Sequence, residues 1–165
     1  MSTPLAAGVL ALLVRRRATA AVAESLTGGL IGAALTTPAG ASAAFRGGVI
    51  AYATDLKARL LGVPEDLLDR EGAVHPEVAA AMAAGVRRLA GATYGLAVTG
   101  VAGPDPQDGK PVGTVYIAVA GPDQAFWRRE VLLSGSREEI RKGTVREGLD
   151  LLRGVLEPEV GEHSG

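Results

Sequence analysis

The sequence predicts a single-domain α/β fold, a three-layer α/β/α sandwich around a mixed sheet, and three observations lead there. Short apolar runs of strand composition alternate with stretches of helical apolar spacing along the chain. Two strand-like runs open directly into glycine-rich corners, Glu24-Ser25-Leu26-Thr27-Gly28-Gly29 and Thr99-Gly100-Val101-Ala102-Gly103. With 165 residues, 47% of them hydrophobic, there is chain enough for one core and, at roughly 150 residues per domain, for one domain. No repeat, low-complexity segment or linker divides it, so the expected unit is 1–165, with its core over about 5–156 and a disordered tail over 157–165.

The elements follow in order. Leu5–Val14 is an apolar run followed by Arg15, Arg16 and Arg17. A secretory signal carries its charge before the apolar run, and a membrane span needs about 20 apolar residues. The run therefore reads as a first helix whose terminal cations suit the negative end of the helix dipole, in a cytoplasmic protein with no membrane partner. Thr19–Ala23 is a short buried strand that turns through the first corner into a helix from Leu30 to about Thr37. Gly47-Gly48 precedes a second strand, Val49–Ala53. Asp55–Leu61 has helical spacing, Pro64 with Glu65 and Asp66 starts another helix, and Pro76–Leu89 is an Ala-rich helix. Tyr94–Val98 is a strand ending in the second corner. Val112–Ala120 and Ala125–Leu133 form an antiparallel hairpin around Gly121-Pro122-Asp123. Ser136 with Glu139 three residues on is a capping-box pattern opening a long helix to about Leu156.

Composition removes several function classes. Without cysteine there is no disulfide framework, thiolate zinc site, iron–sulfur cluster or cysteine nucleophile. His75 and His163 are too few for most imidazole sites, so neither a metal nor a cofactor is expected. A net charge of −1 and a pI near 6.1 provide no electrostatic reason to bind nucleic acid, which leaves a small molecule or another protein as partner. The apolar share is made of small groups, since 29 Ala and 23 Gly are present. Part of the Ala content falls on the helix Val78–Leu89, which either covers the sheet or packs closely against a second copy.

At the two corners, backbone N–H groups and a helix start are able to hold an anion, and open α/β sheets bind ligands at the carboxyl ends of their strands. Glycines needed only for tight turns explain each corner equally well. The cation choice is more pointed, with 14 Arg against 3 Lys. A lysine can be lowered by burial until it acts as a base, whereas an arginine cannot. Lys57 follows Tyr52 by five residues, and Ser42 precedes that tyrosine by ten. A serine, a lysine base and a tyrosine hydroxyl form a workable nucleophilic set. On spacing alone, the plainer reading stands ahead of it, with Ser42 in a turn, Tyr52 in a strand and Lys57 on a helix surface.

Six ordered motifs resemble the CinA C-terminal family. They are Ala23-Glu24-Ser25-Leu26-Thr27-Gly28-Gly29, the spaced set Ser42, Phe45, Gly47-Gly48, Ile50, Tyr52 and Lys57, Gly72-Ala73-Val74, Thr99-Gly100 with Ala102-Gly103-Pro104-Asp105, Lys110-Pro111-Val112-Gly113-Thr114-Val115, and Ser134-Gly135 with Arg137. The resemblance runs from about Ala21 to Leu156. It implies a metal-independent nicotinamide-nucleotide amidohydrolase of pyridine-nucleotide salvage, converting nicotinamide mononucleotide and water to nicotinate mononucleotide and ammonia. By the same resemblance Ser42 is the nucleophile, Lys57 its base and Tyr52 the adjacent hydroxyl, while Thr99 and Arg137 bind or orient the substrate. Ser25, Thr27, Gly28, Gly29, Gly100 and Gly103 complete the expected binding set, with phosphate on Arg137 and the first corner. The resemblance also implies a homodimer or higher homo-oligomer. The additional N-terminal pyrophosphatase domain of some members has no counterpart in these residues, so that activity is not expected. Asp105-Pro106-Gln107-Asp108 departs from the glycine-rich version of this loop. The alternative is a non-catalytic nucleotide-binding or interaction module linked to competence or damage responses.

Overall fold

A computed structural model describes residues 3–158. Helix α1 (Thr3–Arg15) leads into β1 (Ala20–Glu24), α2 (Leu30–Thr36), a 3-10 turn (Ala41–Ala43) and β2 (Phe45–Ile50). Then come α3 (Thr54–Leu61), α4 (Glu65–Glu71), α5 (Pro76–Ala90) and β3 (Tyr94–Gly100). The chain finishes with β4 (Thr114–Ala120), β5 (Phe126–Leu132) and α6 (Arg137–Leu156). The last helix has the expected capping box: Ser136 Oγ accepts the Glu139 N–H while the Glu139 carboxylate accepts the Ser136 N–H. The tail expected to be disordered lies, from residue 159 on, outside the described residues.

The five strands form one mixed sheet in the order β2-β1-β3-β4-β5. β1 runs parallel to both β2 and β3, and β4 is antiparallel to β3 and β5. Chain direction therefore reverses sides at β1: the first crossover leads outward to β2, and the second returns across to β3. A crevice opens at such a switch point, beyond the carboxyl ends of the strands.

The two faces of the sheet are built differently. One carries Val22, Leu96, Val98, Val115, Ile117 and Val119 against α1, α2 and α6. The other carries Ala21, Ala23, Ala97, Ala118 and Ala120 against α3, α4 and α5. Small side chains let α5 lie almost on the backbone of the sheet: a Cβ on Gly95 would stand 2.2 Å from the Ala83 carbonyl oxygen of α5. On its other side α5 meets α3, where a Cβ on Gly85 would stand 1.9 Å from the Leu61 carbonyl oxygen. Of the two roles open to the Ala-rich helix, covering the sheet is the one it performs, with Val78, Ala79, Met82, Ala83, Gly85 and Val86 buried.

One element departs from expectation. β2 starts at Phe45, so Gly47-Gly48 lie inside the strand instead of ahead of it. The reason is a bulge: Ala20 pairs with Phe45 and Ala21 with Gly47, and beyond it a Cβ on Gly48 would come within 2.6 Å of the Val22 carbonyl oxygen. At Gly48 the neighbouring backbone is too near for anything larger, whereas Gly47 has open space around it and a φ of 145°.

Gly85→Ala is expected to destabilise the protein by about 2–4 kcal/mol, since the new methyl displaces backbone between two packed helices. Gly8→Ala, in α1 with nothing within 4 Å, is expected to stabilise it by about 0.5–1 kcal/mol. Urea midpoints of the two variants check both signs.

Candidate active site

β1 ends in a carboxylate that folds the next turn around itself. Glu24 is 2% exposed and accepts the N–H groups of Gly29 at 3.2 Å, Ile31 at 2.9 Å and Gly32 at 3.0 Å. The Gly28 N–H donates to the Ser25 carbonyl and that of Leu30 to the Thr27 carbonyl. To turn this tightly the backbone takes positive φ at Gly28 and Gly29. From α6, Arg141 holds the outer side of the corner, donating to the carbonyls of Leu26 and Thr27. Every N–H from Gly28 to Gly32 is thus spent internally, while those of Leu26 and Thr27 donate to no protein acceptor among the described residues.

Ser25 follows this carboxylate at the carboxyl end of β1. The next parallel strand, β2, delivers α3 to the same edge, and α3 brings in Lys57, whose side chain is 1% exposed. Lys57 Nζ donates to Ser25 Oγ at 2.9 Å, to the Ala51 carbonyl at 2.7 Å and to the Tyr52 carbonyl at 3.4 Å. Burial pushes its pKa down to about 8, and the negative charge of Asp108 opposes the fall. A substantial fraction is therefore neutral near pH 8, with a serine hydroxyl already in hydrogen-bond contact.

Around this pair lies a cavity of about 120 Å³. Thr99 and Gly100 from the end of β3 line it, with Ala73 and Val74 from the α4–α5 turn and Gly103, Asp105 and Gln107 from the β3–β4 loop. Thr99 Oγ1 donates to the Ala73 carbonyl at 2.8 Å, which ties β3 to that turn. At the mouth, Arg137 donates to the Gly103 carbonyl and, at 3.2 Å, to the Tyr52 hydroxyl.

The structure thus gathers Ser25, Tyr52, Lys57, Thr99, Gly100, Gly103 and Arg137 from the expected set. Ser42 is not with them. It sits exposed on the 3-10 turn before β2, at the amino end of the parallel strands, roughly 15 Å of strand from the cavity edge. The serine beside Lys57 is Ser25, and this corrects the expected pairing. Parallel pairing explains it, because residues that follow β1 and β2 share one edge whereas residues that precede them share the other. The sequence shows that Ser25 and Lys57 both follow strands and that Ser42 precedes one, but the parallel direction that makes this decisive comes from the fold. Tyr52 also differs from expectation, since its carbonyl faces Lys57 while its hydroxyl faces Arg137. Thr27, Gly28 and Gly29 do not line the cavity. Their corner closes on Glu24, and Thr27 Oγ1 is buried without a partner. Of the expected phosphate cradle at the first corner, the N–H groups of Gly28 and Gly29 are already used, and only those of Leu26 and Thr27 have no acceptor among the described residues. Leu26, Ala73, Val74, Asp105 and Gln107 are cavity residues that the sequence reading did not place there.

Among the described residues no three of His, Asp or Glu stand together as a metal site would require, and no helix is long and apolar enough to cross a membrane.

A family model described as the CinA C-terminal domain matches residues 2–156. The chain is 61% identical over 148 residues to a CinA-like protein of Frankia casuarinae, covering 90% of this chain and 34% of that one. It is 53% identical over 151 residues to a CinA-like protein of a Synechococcus strain, covering 90% and 36%. It thus spans about a third of the length of these curated relatives. Among solved structures it is similar to the competence/damage inducible protein CihA from Agrobacterium tumefaciens, with TM-score 0.91, 35% identity, and 94% and 96% of the two chains covered. A CinA superfamily protein from Klebsiella pneumoniae matches with TM-score 0.91 at 30% identity, over 94% and 98%.

Lys57 carries a stability cost that depends on pH. From about 8 in the fold to the ordinary 10.5, the unfolded chain holds a proton that the folded chain has released, so stability rises with pH across that window. At pH 7 the penalty is on the order of 3 kcal/mol, partly offset by the three hydrogen bonds. Lys57→Met is expected to be more stable than wild type at pH 7 and to lose that advantage toward pH 10, as read from denaturant midpoints at the two pH values. Glu24→Ala, which strands three N–H donors, is expected to cost about 3 kcal/mol or more at either pH.

Proposed function

The chain belongs to the CinA C-terminal domain family, and from that premise and the geometry of its cavity we propose that it is a nicotinamide-nucleotide amidohydrolase with a Ser25–Lys57 dyad. The observation that carries this reading is the 2.9 Å contact between a desolvated Lys57 Nζ and Ser25 Oγ inside the cavity. Few structural roles need an ammonium there, and a base with pKa near the working pH is what proton transfer from a hydroxyl requires.

In this mechanism neutral Lys57 takes the Ser25 proton as Oγ attacks the amide carbonyl carbon of nicotinamide mononucleotide. The oxyanion is received by the unspent N–H groups of Leu26 and Thr27, the two residues after the nucleophile. The Lys57 ammonium returns its proton to the leaving nitrogen, and ammonia departs, leaving a nicotinoyl ester on Ser25. Lys57 then deprotonates a water that attacks the ester, and nicotinate mononucleotide is released with Ser25 restored. The planar ring and its amide are assigned to the part of the cavity beside Ser25 and Lys57, and ribose and phosphate to its mouth. There Arg137 and the Tyr52 hydroxyl form the cationic side of the mouth, and the phosphate is assigned to them. No step uses a metal or a cofactor. The reading includes a role in pyridine-nucleotide salvage, a cytoplasmic location and a homo-oligomeric assembly.

Purified protein incubated with nicotinamide mononucleotide is expected to release ammonia and nicotinate mononucleotide in equal amounts. Ser25→Ala and Lys57→Arg should each lose activity by roughly a thousandfold while keeping the fold, and Ser42→Ala should stay within about twofold of wild type. A folded wild type that binds the nucleotide without releasing ammonia would sink the enzymatic reading in favour of a binding module tied to competence or damage responses. Since Lys57 acts in its neutral form, kcat/KM is expected to rise with pH through about 8, and the rise should vanish from the residual rate of Lys57→Arg.

A further inference from the structure

The β3–β4 loop carries a feature that the mechanism does not use. Gln107 and Lys110 bond to each other through both backbone N–H groups, and between them Asp108 has φ 51° and Gly109 φ 74°. This is a two-residue Asp-Gly turn with both central residues left-handed, the conformation that Asp-Gly favours. The turn aims the Asp108 side chain at the α4–α5 connection. Asp108 Oδ2 accepts the Ala73 N–H at 3.0 Å. At Gly72, where φ is 77°, a Cβ would stand 2.5 Å from Asp108 Cγ and 2.8 Å from its Oδ2, so the glycine is a socket already filled by the carboxylate. The same Ala73 gives its carbonyl to Thr99 Oγ1. One residue of the cavity wall, Ala73, is therefore gripped from two sides, at its carbonyl by Thr99 from β3 and at its N–H by Asp108 from the loop.

We propose that Asp108 is a positioning residue of the site: seated on Gly72 and bonded to the Ala73 N–H, it latches the β3–β4 loop into place as a cavity wall, with its negative charge acting on Lys57 from there. Its kinetic consequences rest on the amidohydrolase reading, whereas its effect on Lys57 does not. Other charged or titratable groups lie on the elements around the cavity. Glu24 lies behind Ser25 and is held by three N–H donors, and Tyr52 and Arg137 pair at the mouth. Asp105 lines the cavity from the same loop, and Asp55 on α3 faces Arg59. Burial alone drives Lys57 down, and Asp108 is the charge that acts against it.

The chain has only three lysines, so lysine ε-carbon resonances of the unliganded protein form a set in which Lys57 is assigned by its loss in Lys57→Arg. Asp108→Asn keeps an oxygen for the Ala73 N–H and removes the charge; Asp108→Ala removes both. In each, the Lys57 midpoint is expected to move to lower pH. Asp108→Ala and Gly72→Ala, which disengage the latch, are also expected to raise KM for nicotinamide mononucleotide about tenfold, while Asp108→Asn stays within about twofold. An unmoved Lys57 midpoint in Asp108→Ala, or a wild-type KM in both Asp108→Ala and Gly72→Ala where the wild type is active, overturns the proposal. A shifted midpoint in a protein that never releases ammonia removes the amidohydrolase reading and leaves the positioning role standing.

Discussion

The carboxylate of Glu24 governs how the functional edge is built. A buried anion without partners is costly, and Glu24 finds its partners in the three N–H groups that open α2. That requirement closes the corner after β1, forces positive φ at Gly28 and Gly29, and leaves Ser25 at the strand end on the cavity side. It also decides what the corner does not do. The N–H groups from Gly28 to Gly32 are spent on the internal carboxylate and the turn, so the glycine half of the corner is a structural knot, and only the N–H groups of Leu26 and Thr27 are left for an external oxygen.

The depth of Lys57 depends in turn on the small residues of the opposite layer. Lys57 rides on α3, and α3 is held against α5 at a distance that only Gly85 permits. α5 itself rests on an alanine face of the sheet and on Gly95. Larger residues at these positions would lift α5, move α3 outward and hydrate the ammonium. The Ala and Gly content thus reaches the chemistry through packing: close layers produce desolvation, and desolvation lowers the lysine into the range where it exchanges protons with a hydroxyl.

Local signals made most elements legible. The capping box at Ser136, the proline starts at Pro64 and Pro76, and the turn at Gly121-Pro122-Asp123 each act within a few residues, so the boundaries they mark agree closely with the fold. β2 was displaced because its glycines answer to a neighbouring strand and a bulge, neither of which is visible along the chain. In the site, Lys57 stood out because lysine is scarce here, and Thr99, Gly103 and Arg137 lay in recognisable motifs. The pairing of Lys57 with Ser25 instead of Ser42 depends on strand direction, and the use of Asp108 depends on a loop reaching across 35 positions to Ala73.

The sequence by itself determined the α/β class, the family motifs, the absence of thiol chemistry and the identity of the unusual lysine, because each of these is a property of composition or of short segments. Tertiary structure alone decided which serine the lysine meets, which glycine-rich corner remains open and which face is lined with alanine. Those outcomes depend on parallel strands placing their carboxyl ends side by side, and on a limited number of N–H donors being spent once. Residues distant in sequence compete for the same space and the same hydrogen bonds, and only the folded chain settles that competition.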